Sequence, residues 1–275
     1  MELYVKKIIE KALSEDIGPG DVTSEATIPA GHTSTAEILA KQDLVLAGLD
    51  LSLEVFHFLD AAIQFTRFAQ DGDRIKSGKV LARLSGSTRA LLAGERVALN
   101  LLQHMSGIAT LTSKYVEQLK GLKAQALDTR KTLPGLRQLE KYAVRMGGGT
   151  NHRFGLYDGV LIKDNHIKAG GSITKAIESA RRNAHHLLKV EVETKTLDEV
   201  REALSAKADI IMLDNMPLDM IREAVKLING QALVEASGNV TFETIREIGE
   251  TGVDFISSGS LTHSAPAADI SMKIK

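Results

Sequence analysis

Residues 188–214 read LKVEVETKTLDEVREALSAKADIIMLD, and they set the architecture of the second half of the chain. Two runs rich in aliphatic residues, Leu188–Glu193 and Asp209–Asp214, enclose Leu197–Ala206, whose apolar residues recur at helical spacing. A strand, a helix and a second strand in such close succession are typical of a βαβ unit with parallel strands.

The same alternation runs through the whole second half. Strand-like runs end at Asp128, Lys163, Glu193, Asp214, Glu235 and Ser257. Helical stretches lie between them, at Leu136–Met146, Ser172–His186, Leu197–Ala206, Leu218–Ile228 and Phe242–Thr251. This repetition predicts an α/β fold with a parallel sheet, either closed as a barrel or open. Because such crossovers are right-handed, the carboxyl ends of the strands should lie on one rim.

The first half has a different pattern. A helix is predicted from Glu2 to Glu15, and helical periodicity returns from Arg89 to about Ser106. The strand-like segments between them are Thr33–Ala40, Leu44–Ala47, Ile63–Phe68 and Lys79–Leu84. Near the end of the chain, Ile270–Ile274 alternates like a last strand. The two halves therefore have different architectures.

The composition argues against several classes of protein. The 275 residues carry a formal net charge of −1, which gives no indication of a nucleic-acid or membrane partner. The chain has no cysteine, so disulfides, thiolate metal sites and cysteine nucleophiles are excluded. No apolar run approaches the ~20 residues of a membrane helix, and residues 1–14 lack the apolar core of a signal peptide. We expect a cytoplasmic protein.

Charged and small polar residues stand at or directly after the predicted strand ends. They are Arg130, Lys131, Lys163, Glu193, Asp214, Ser237 with Gly238, and Ser258 with Gly259. A single polar strand end has no significance, but this series would surround one rim, where (β/α) barrels carry their active sites. Basic residues and histidines outnumber acids between Arg130 and Lys168, which favours an anionic ligand over a solvated basic face.

The residue types indicate the chemistry of that ligand. Arg130 can hold a carboxylate or a phosphate through two parallel hydrogen bonds. Gly147–Gly149 could be a flexible turn, but the basic residues that follow favour a backbone segment that approaches a ligand. Glu193 and Asp214 offer hard oxygen ligands, which suit Mg²⁺ rather than zinc. The two serine–glycine turns resemble phosphate cradles.

Several long motifs run through the chain. In the second half they are Asp128–Arg137 (DTRKTLPGLR), Glu140–Val144, Gly147–Arg153 (GGGTNHR), Leu161–Ile167 (LIKDNHI), Val190–Glu193, Ile211–Asn215, Glu235–Gly238 and Ser258–His263. In the first half they are Glu15–Thr23, Glu95–Asn100 and Met105–Ala109. Together they resemble the quinolinate phosphoribosyltransferase family over almost the whole chain. Leu133 and Asn239 depart from the family pattern, and neither removes a ligand group.

The resemblance implies a two-domain fold. An N-terminal α+β sandwich over residues 1–107 is followed by an incomplete, TIM-like (β/α) barrel of about six strands over residues 108–275. A return of Ile270–Ile274 to the sandwich is a hypothesis. The resemblance also implies a homodimer, in which the sandwich of one chain covers the barrel mouth of the other and Arg96 enters the neighbouring site. A higher oligomer stays open.

The resemblance also implies a reaction, in which quinolinate and phosphoribosyl pyrophosphate give nicotinate mononucleotide, pyrophosphate and carbon dioxide for de novo NAD biosynthesis. For quinolinate it implies Arg96, Thr129, Arg130, His152, Arg153 and Lys163. For phosphoribosyl pyrophosphate it implies Lys131, Glu193, Asp214, Ser237, Gly238, Asn239, Ser258, Gly259, Ser260 and His263. Catalytic roles are expected for Lys131, Lys163, Glu193 and Asp214. Mg²⁺ should bind through phosphoribosyl pyrophosphate, with Glu193 and Asp214 as candidate ligands.

Three other classes of protein stay open at this point. Another phosphoribosyltransferase, such as a nicotinate enzyme or the molybdenum-associated relative of the family, would need fewer anchors for carboxylates. An aldolase or isomerase would need either a Schiff-base lysine, for which Lys163 is the candidate, or a base–acid pair. A binding or structural protein would not need so many charges on one rim. His104, His166 and His263 either belong to the site or satisfy structural hydrogen bonds.

Overall fold

The computed structural model describes residues 3–275, so Glu2, where the first helix is predicted to begin, lies outside the described residues. The first elements are α1 (Leu3–Ile17), α2 (Val22–Thr27), β1 (Thr33–Ala40), β2 (Leu44–Val45), α3 (Leu49–Leu59), β3 (Gln64–Arg67), β4 (Arg74–Ile75), β5 (Val80–Ser87) and α4 (Thr88–Gln118). They are followed by β6 (Gln125–Leu127), α5 (Arg137–Met146), β7 (Val160–Ile162), α6 (Asp164–Gly170), α7 (Ile173–Asn183), β8 (Val190–Thr194), α8 (Leu197–Ser205), β9 (Ile210–Asp214), α9 (Leu218–Ile228), β10 (Leu233–Ser237), α10 (Ile245–Gly249), β11 (Phe255–Ser257), α11 (Ser260–His263) and β12 (Ile270–Ile274). Strands and helices alternate regularly only after α4.

The first compact unit contains an antiparallel sheet. The unit comprises the described residues up to Ser113, together with Pro134–Gly148 and Ala265–Lys275. Its strands lie in the order β12-β1-β5-β3, and β2 and β4 form a separate two-stranded sheet. The segment Ile270–Ile274, whose alternation predicts a strand, is β12 and pairs with β1 at one edge. Side chains such as Ile38 and Phe56 are fully buried in this unit.

The second compact unit is built on a parallel sheet. It comprises Lys114–Leu133 and Gly149–Ser264, and its six strands lie in the order β6-β11-β10-β9-β8-β7. The helices that alternate with these strands turn one apolar face inward, as α9 does with Ile221, Ala224 and Ile228. This confirms the predicted fold class, an α/β chain with an N-terminal sheet unit and a TIM-like second half.

The register of the parallel strands aligns their carboxyl ends. Ser237 at the end of β10 lies between Asp214 of β9 and Ser257 of β11. Two residues earlier, Glu235 lies between Met212 and Phe255. Because side chains alternate along a strand, positions two residues apart share a face. Glu235 therefore lies below Ser237, further from the rim.

Two helices differ from the sequence predictions. The helical periodicity indicates an end near Ser106, but α4 continues to Gln118. A Cβ atom at Gly107 would lie 2.1 Å from the carbonyl oxygen of Pro266, so this glycine allows a close backbone contact rather than ending the helix. The predicted helix Phe242–Thr251 is shorter in the structure, since only Ile245–Gly249 is α-helical.

The helices within residues 3–275 lack the features of a membrane span. None of these described helices combines the length and the apolar character that crossing a bilayer requires. The longest, α4, has an amphipathic pattern in which buried residues such as Leu91 and Leu102 alternate with exposed ones such as Arg96.

Candidate active site

A cavity of about 610 Å³ opens at the carboxyl ends of the parallel strands in the second unit. The predicted site residues in its wall are Thr129, Arg130, Lys131, His152, Arg153, Lys163, Asp214, Ser237, Gly238, Asn239, Ser258, Gly259, Ser260 and His263. Leu161, Met212 and Val240 add an apolar part to the wall. A mixture of apolar surface and convergent charges suits a flat ring that carries acidic groups.

Asp128 holds together the two loops that carry the arginines of the cavity. It is fully buried, and its carboxylate accepts hydrogen bonds from Asn151 Nδ2 at 2.6 Å and from the backbone N–H of His152 at 2.9 Å. A buried carboxylate needs such donors to offset its lost hydration. These bonds keep the loop after β6, which carries Arg130, beside the loop that carries Arg153.

Arg153 is half-buried in the wall of the cavity. Its Nη1 donates to the carbonyl oxygen of Gly159 at 2.9 Å. Burial lowers the pKa of Arg153, and the neighbouring charge of Arg130 lowers it further, while Glu191 acts in the opposite direction. Two guanidinium groups held this close favour an anion between them, because its charge relieves their repulsion.

Lys163 brings an ammonium group to the same cavity. It is the residue before α6, and its backbone N–H donates to His166 Nδ1 at 2.9 Å, so His166 caps the helix. The Nζ atom of Lys163 donates to Glu193 Oε2 at 2.8 Å. Lys195 Nζ lies 3.9 Å from the other oxygen of Glu193. Glu193 therefore stands between two ammonium groups and holds Lys163 in place.

The turn after β10 has a backbone that only glycine adopts easily. Gly238 has a φ of 93°, and a Cβ atom there would lie 2.3 Å from Asn215 Oδ1. Asn239 Nδ2 donates to the same Asn215 oxygen at 3.0 Å, and the Asn215 N–H donates to the Ser237 carbonyl at 2.8 Å. The turn is thus fixed by Asn215, and its bare backbone can come close to a phosphate.

The turn after β11 is held by a chain of hydroxyl groups. Ser258 Oγ lies 2.7 Å from Ser260 Oγ, which lies 3.1 Å from the hydroxyl of Tyr115. Gly259 follows the buried Ser258, and a Cβ atom at Gly259 would lie 2.7 Å from Lys131 Cδ. The absence of a side chain at Gly259 therefore lets the stem of Lys131 pass over the turn, where an ammonium group can meet a phosphate.

Two family models match consecutive parts of the chain. The model of the quinolinate phosphoribosyl transferase N-terminal domain matches residues 21–106, and that of the C-terminal domain matches residues 108–273. The chain belongs to the quinolinate phosphoribosyltransferase family. This is a family of enzymes, so the alternatives of a noncatalytic protein and of an unrelated aldolase or isomerase are wrong.

Relatives and solved structures agree with the family models. A Bacillus subtilis protein named probable nicotinate-nucleotide pyrophosphorylase (carboxylating) is 49% identical over 99% of this chain and 94% of its own. The Nicotiana tabacum protein named quinolinate phosphoribosyltransferase (decarboxylating) 2b is 46% identical over 98% of this chain and 82% of its own. The crystal structure of NadC from Streptococcus pyogenes is 46% identical, with a TM-score of 0.96 over 98% of this chain and 96% of the other.

Two of the residues that the family pattern marks do not line the cavity. Glu193 contacts it only through Lys163. Arg96 lies on α4 in the first unit, where its side chain is exposed. Of the three histidines, His263 lines the cavity, His166 caps α6, and His104 Nε2 lies 2.9 Å from Glu140 in the first unit. The roles of these residues in binding stay predictions.

Sequence reasoning did not assign two buried acids to the site. Glu235 is 1% exposed and lines the cavity, and Glu191 is 5% exposed beside it. Each stands between two buried apolar residues of its strand, β10 for Glu235 and β8 for Glu191. An acid at such a position is a usable signal, because burying a carboxyl group is costly unless the group has a partner or a function.

Proposed function

We propose that this chain catalyses the reaction that gives its family its name. Quinolinate and phosphoribosyl pyrophosphate combine, the pyridine nitrogen displaces pyrophosphate from the ribose, and the 2-carboxylate then leaves as carbon dioxide. The product is nicotinate mononucleotide, a precursor of NAD. Family membership and the high identity to relatives with these names support this proposal.

One geometric observation supports the proposed reaction. Cations suited to carboxylates (Arg130, Arg153 and Lys163) share a cavity with two serine–glycine turns suited to phosphates. Both substrates are polyanions, so their approach costs Coulomb energy unless cations lie between them. A cavity that offered only one of these two features would suit a single anionic substrate.

Charged residues near the strand ends suit the charges that develop on the ribose and on pyrophosphate during the reaction. As pyrophosphate leaves, the ribose gains oxocarbenium character, as in other glycosyl transfers. Asp214 stands at the end of β9 in the cavity wall, and Glu193 stands at the end of β8. Their negative charges oppose the positive charge of the ribose. Lys131, whose stem passes over Gly259, is placed to neutralise the departing phosphates.

The carboxylates at the rim also fit a magnesium ion carried by phosphoribosyl pyrophosphate. Mg²⁺ usually takes one or two carboxylates and completes its shell with phosphates and water. Asp214 and Glu193 would supply those carboxylates. Glu193 already accepts a hydrogen bond from Lys163, so Asp214 is the better placed of the two. When bound, the ion would neutralise the pyrophosphate leaving group.

The test is a product assay with matched substrates. The purified chain is incubated with phosphoribosyl pyrophosphate and Mg²⁺, with either quinolinate or nicotinate, and nicotinate mononucleotide and carbon dioxide are measured. We expect product and an equal amount of carbon dioxide from quinolinate only. Product from nicotinate and none from quinolinate would overturn the proposal in favour of a monocarboxylate phosphoribosyltransferase.

We also propose that the enzyme is a homodimer in which Arg96 acts in the site of the neighbouring chain. Arg96 is exposed on α4, and the cavity of its own chain does not include it. Mixing inactive Arg96→Ala with inactive Lys163→Ala tests this directly. A mixed dimer regains one complete site if Arg96 acts across the interface, so activity should return. No recovery after proven exchange of subunits would contradict the proposal.

A cytoplasmic location is part of the same proposal. It is supported by the absence of cysteine from the sequence, which fits a reducing compartment. Fractionation of cells that produce the chain, with antibody detection in each fraction, tests it. Recovery in an exported or membrane fraction would contradict it.

A further inference from the structure

Three polar side chains lie close together below the rim of the cavity, deeper than the turns that suit phosphates. They are His152, Glu191 and Glu235, and their nitrogen and oxygen atoms lie within 4.8 Å of one another. His152 Nε2 is 3.1 Å from Glu191 Oε2 and 3.6 Å from Glu235 Oε2. Glu235 and His152 line the cavity. We call these three residues the buried trio.

The hydrogen bonds of His152 show which of its nitrogens carries the proton. The backbone N–H of Arg153 donates to His152 Nδ1 at 2.7 Å, so Nδ1 is an acceptor and bears no hydrogen. The ring proton is then on Nε2, which donates it to Glu191. A metal ion at Nε2 would have to displace this proton. The trio is therefore arranged to hold protons rather than a cation.

The surroundings of Glu235 favour its neutral form. Burial raises the pKa of Glu235 to about 8, and the charge of Glu191 contributes in the same direction, while His152 and Ser257 oppose it. In the register of the sheet, the uncharged Met212 and Phe255 lie beside it on the two adjacent strands. Its Oε1 atom is buried and has no hydrogen-bond partner among the described residues. Glu235 thus carries a proton at neutral pH and lies in the wall of the cavity.

We propose that Glu235 is the acid that supplies the proton taking the place of the 2-carboxylate on the pyridine ring. This inference rests on the proposed function. When the bond between ring carbon 2 and the carboxylate breaks, carbon dioxide leaves and the electron pair stays on the ring carbon beside the positively charged nitrogen. That pair takes the proton from Glu235, a C–H bond forms, and Glu235 becomes a carboxylate. Water returns the proton after the product leaves.

The position of Glu235 along its strand separates it from Asp214. It precedes Ser237 by two residues on β10, which places it ~6–7 Å below the phosphate turn. Leu161 and Met212 contribute apolar surface to the cavity wall, which suits the flat face of a pyridine ring. Asp214 lies level with Ser237 at the rim, closer to the ribose and its phosphates.

The other candidate donors are less suited to this step. Arginine does not release its proton in proteins. The Nζ atom of Lys163 already donates a hydrogen bond to Glu193. The Nε2 proton of His152 is directed at Glu191 rather than at the cavity. Glu235 combines a neutral acid with a position in the cavity wall.

The test separates ribosyl transfer from decarboxylation in a single turnover. Enzyme in excess is mixed with labelled quinolinate and phosphoribosyl pyrophosphate, the reaction is quenched at intervals, and pyrophosphate and carbon dioxide are each quantified. Glu235→Gln keeps the size and neutrality of the side chain but has no acidic proton. Glu247→Gln, at an exposed position of α10, is the matched control. Quinolinate binding by calorimetry and circular dichroism check that the variant is folded.

We expect the substitution to affect the rates of ribosyl transfer and decarboxylation differently. In Glu235→Gln, pyrophosphate release continues, while carbon dioxide release slows by ~100-fold or more, because the unprotonated carbanion recaptures carbon dioxide. The dicarboxylate mononucleotide should then accumulate. Unchanged carbon dioxide release would overturn the proposal, and so would an equal loss of both steps together with weaker quinolinate binding. Failure of the wild type to release pyrophosphate would instead reject the proposed function.

A second measurement uses the wild-type enzyme alone, in case the variant does not fold. Single turnovers are repeated from pH 6 to pH 9.5. The rate of carbon dioxide release should fall as the pH rises through about 8, where Glu235 loses its proton, while pyrophosphate release keeps a different profile. Identical pH profiles for the two steps would overturn the assignment.

Discussion

Replacing Glu235 by glutamine should stabilise the protein, and by more as the pH rises. The pKa of Glu235 is raised from an ordinary value of 4.5 to about 8 in the folded chain. Below pH 4.5 the group is neutral in both the folded and the unfolded chain, and its full contribution is present. As the pH rises toward 8, the unfolded chain releases this proton and the folded chain keeps it. The wild type therefore loses stability across this window, and the glutamine variant does not.

The size of the effect follows from proton linkage. Each pH unit between 4.5 and about 8 changes the free energy of unfolding by ~1.4 kcal/mol when one additional proton is bound in the folded state. The window spans about 3.5 units, which sets an order-of-magnitude ceiling of ~5 kcal/mol. We expect a total of a few kcal/mol, below this ceiling. Above pH 8 the difference should become constant.

The assay is urea unfolding of the wild type and of Glu235→Gln at pH 5, 6, 7, 8 and 9. The quantity of interest is the difference in unfolding free energy between the two proteins at each pH, which removes the contributions of all other groups. Glu247→Gln, which changes an exposed acid, should show a nearly constant difference. A flat difference between pH 5 and pH 8 for Glu235→Gln would refute a proton held on this buried carboxyl group.

Three further predictions follow from the cavity and the core. Arg130→Ala should lower kcat/KM by ~100-fold or more with an unchanged thermal midpoint, because an exposed anion anchor is lost; wild-type steady-state kinetics would contradict this. Gly238→Ala should raise the Kd for phosphoribosyl pyrophosphate at least ~10-fold, because its Cβ would lie 2.3 Å from Asn215 Oδ1 at a φ of 93°; titration calorimetry that shows unchanged affinity would exclude a phosphate role for this turn. Gly107→Ala should destabilise the chain by ~1–3 kcal/mol, because its Cβ would lie 2.1 Å from the Pro266 carbonyl; chemical denaturation measures this, and an unchanged midpoint would show that the backbone adjusts freely.

Much of the architecture is predictable from the sequence, because the spacing of apolar residues differs clearly between strands and helices. The two runs that enclose Leu197–Ala206 are strands, and the rim residues Asp214 and Ser237 do lie side by side. The end of α4 was not predictable, because helical periodicity does not reveal that Gly107 packs against a segment far along the chain. The spacing of apolar residues shows which face of a helix is buried, but it does not show which distant segment packs against that face.

The candidate site was predictable in its cations and turns, but not in its deeper acids. Arg130 and Lys163 follow strand ends, so topology alone brings them to one rim. The orientation of His152 is a tertiary property, since its Nε2 faces Glu191 only because Asp128 and Arg153 fix the loop around it. The proton on Glu235 likewise depends on burial and on a neighbouring acid, which no local pattern contains.

The pairing of β12 with β1 has a consequence for synthesis on the ribosome. β1 spans Thr33–Ala40, whereas its neighbour β12 spans Ile270–Ile274 and is synthesised much later. Until β12 has been synthesised, one edge of the nascent sheet therefore stays open and can pair with strands of other molecules. A chain shortened before Ile270 would keep that edge open permanently and should aggregate even though its cavity residues are all present.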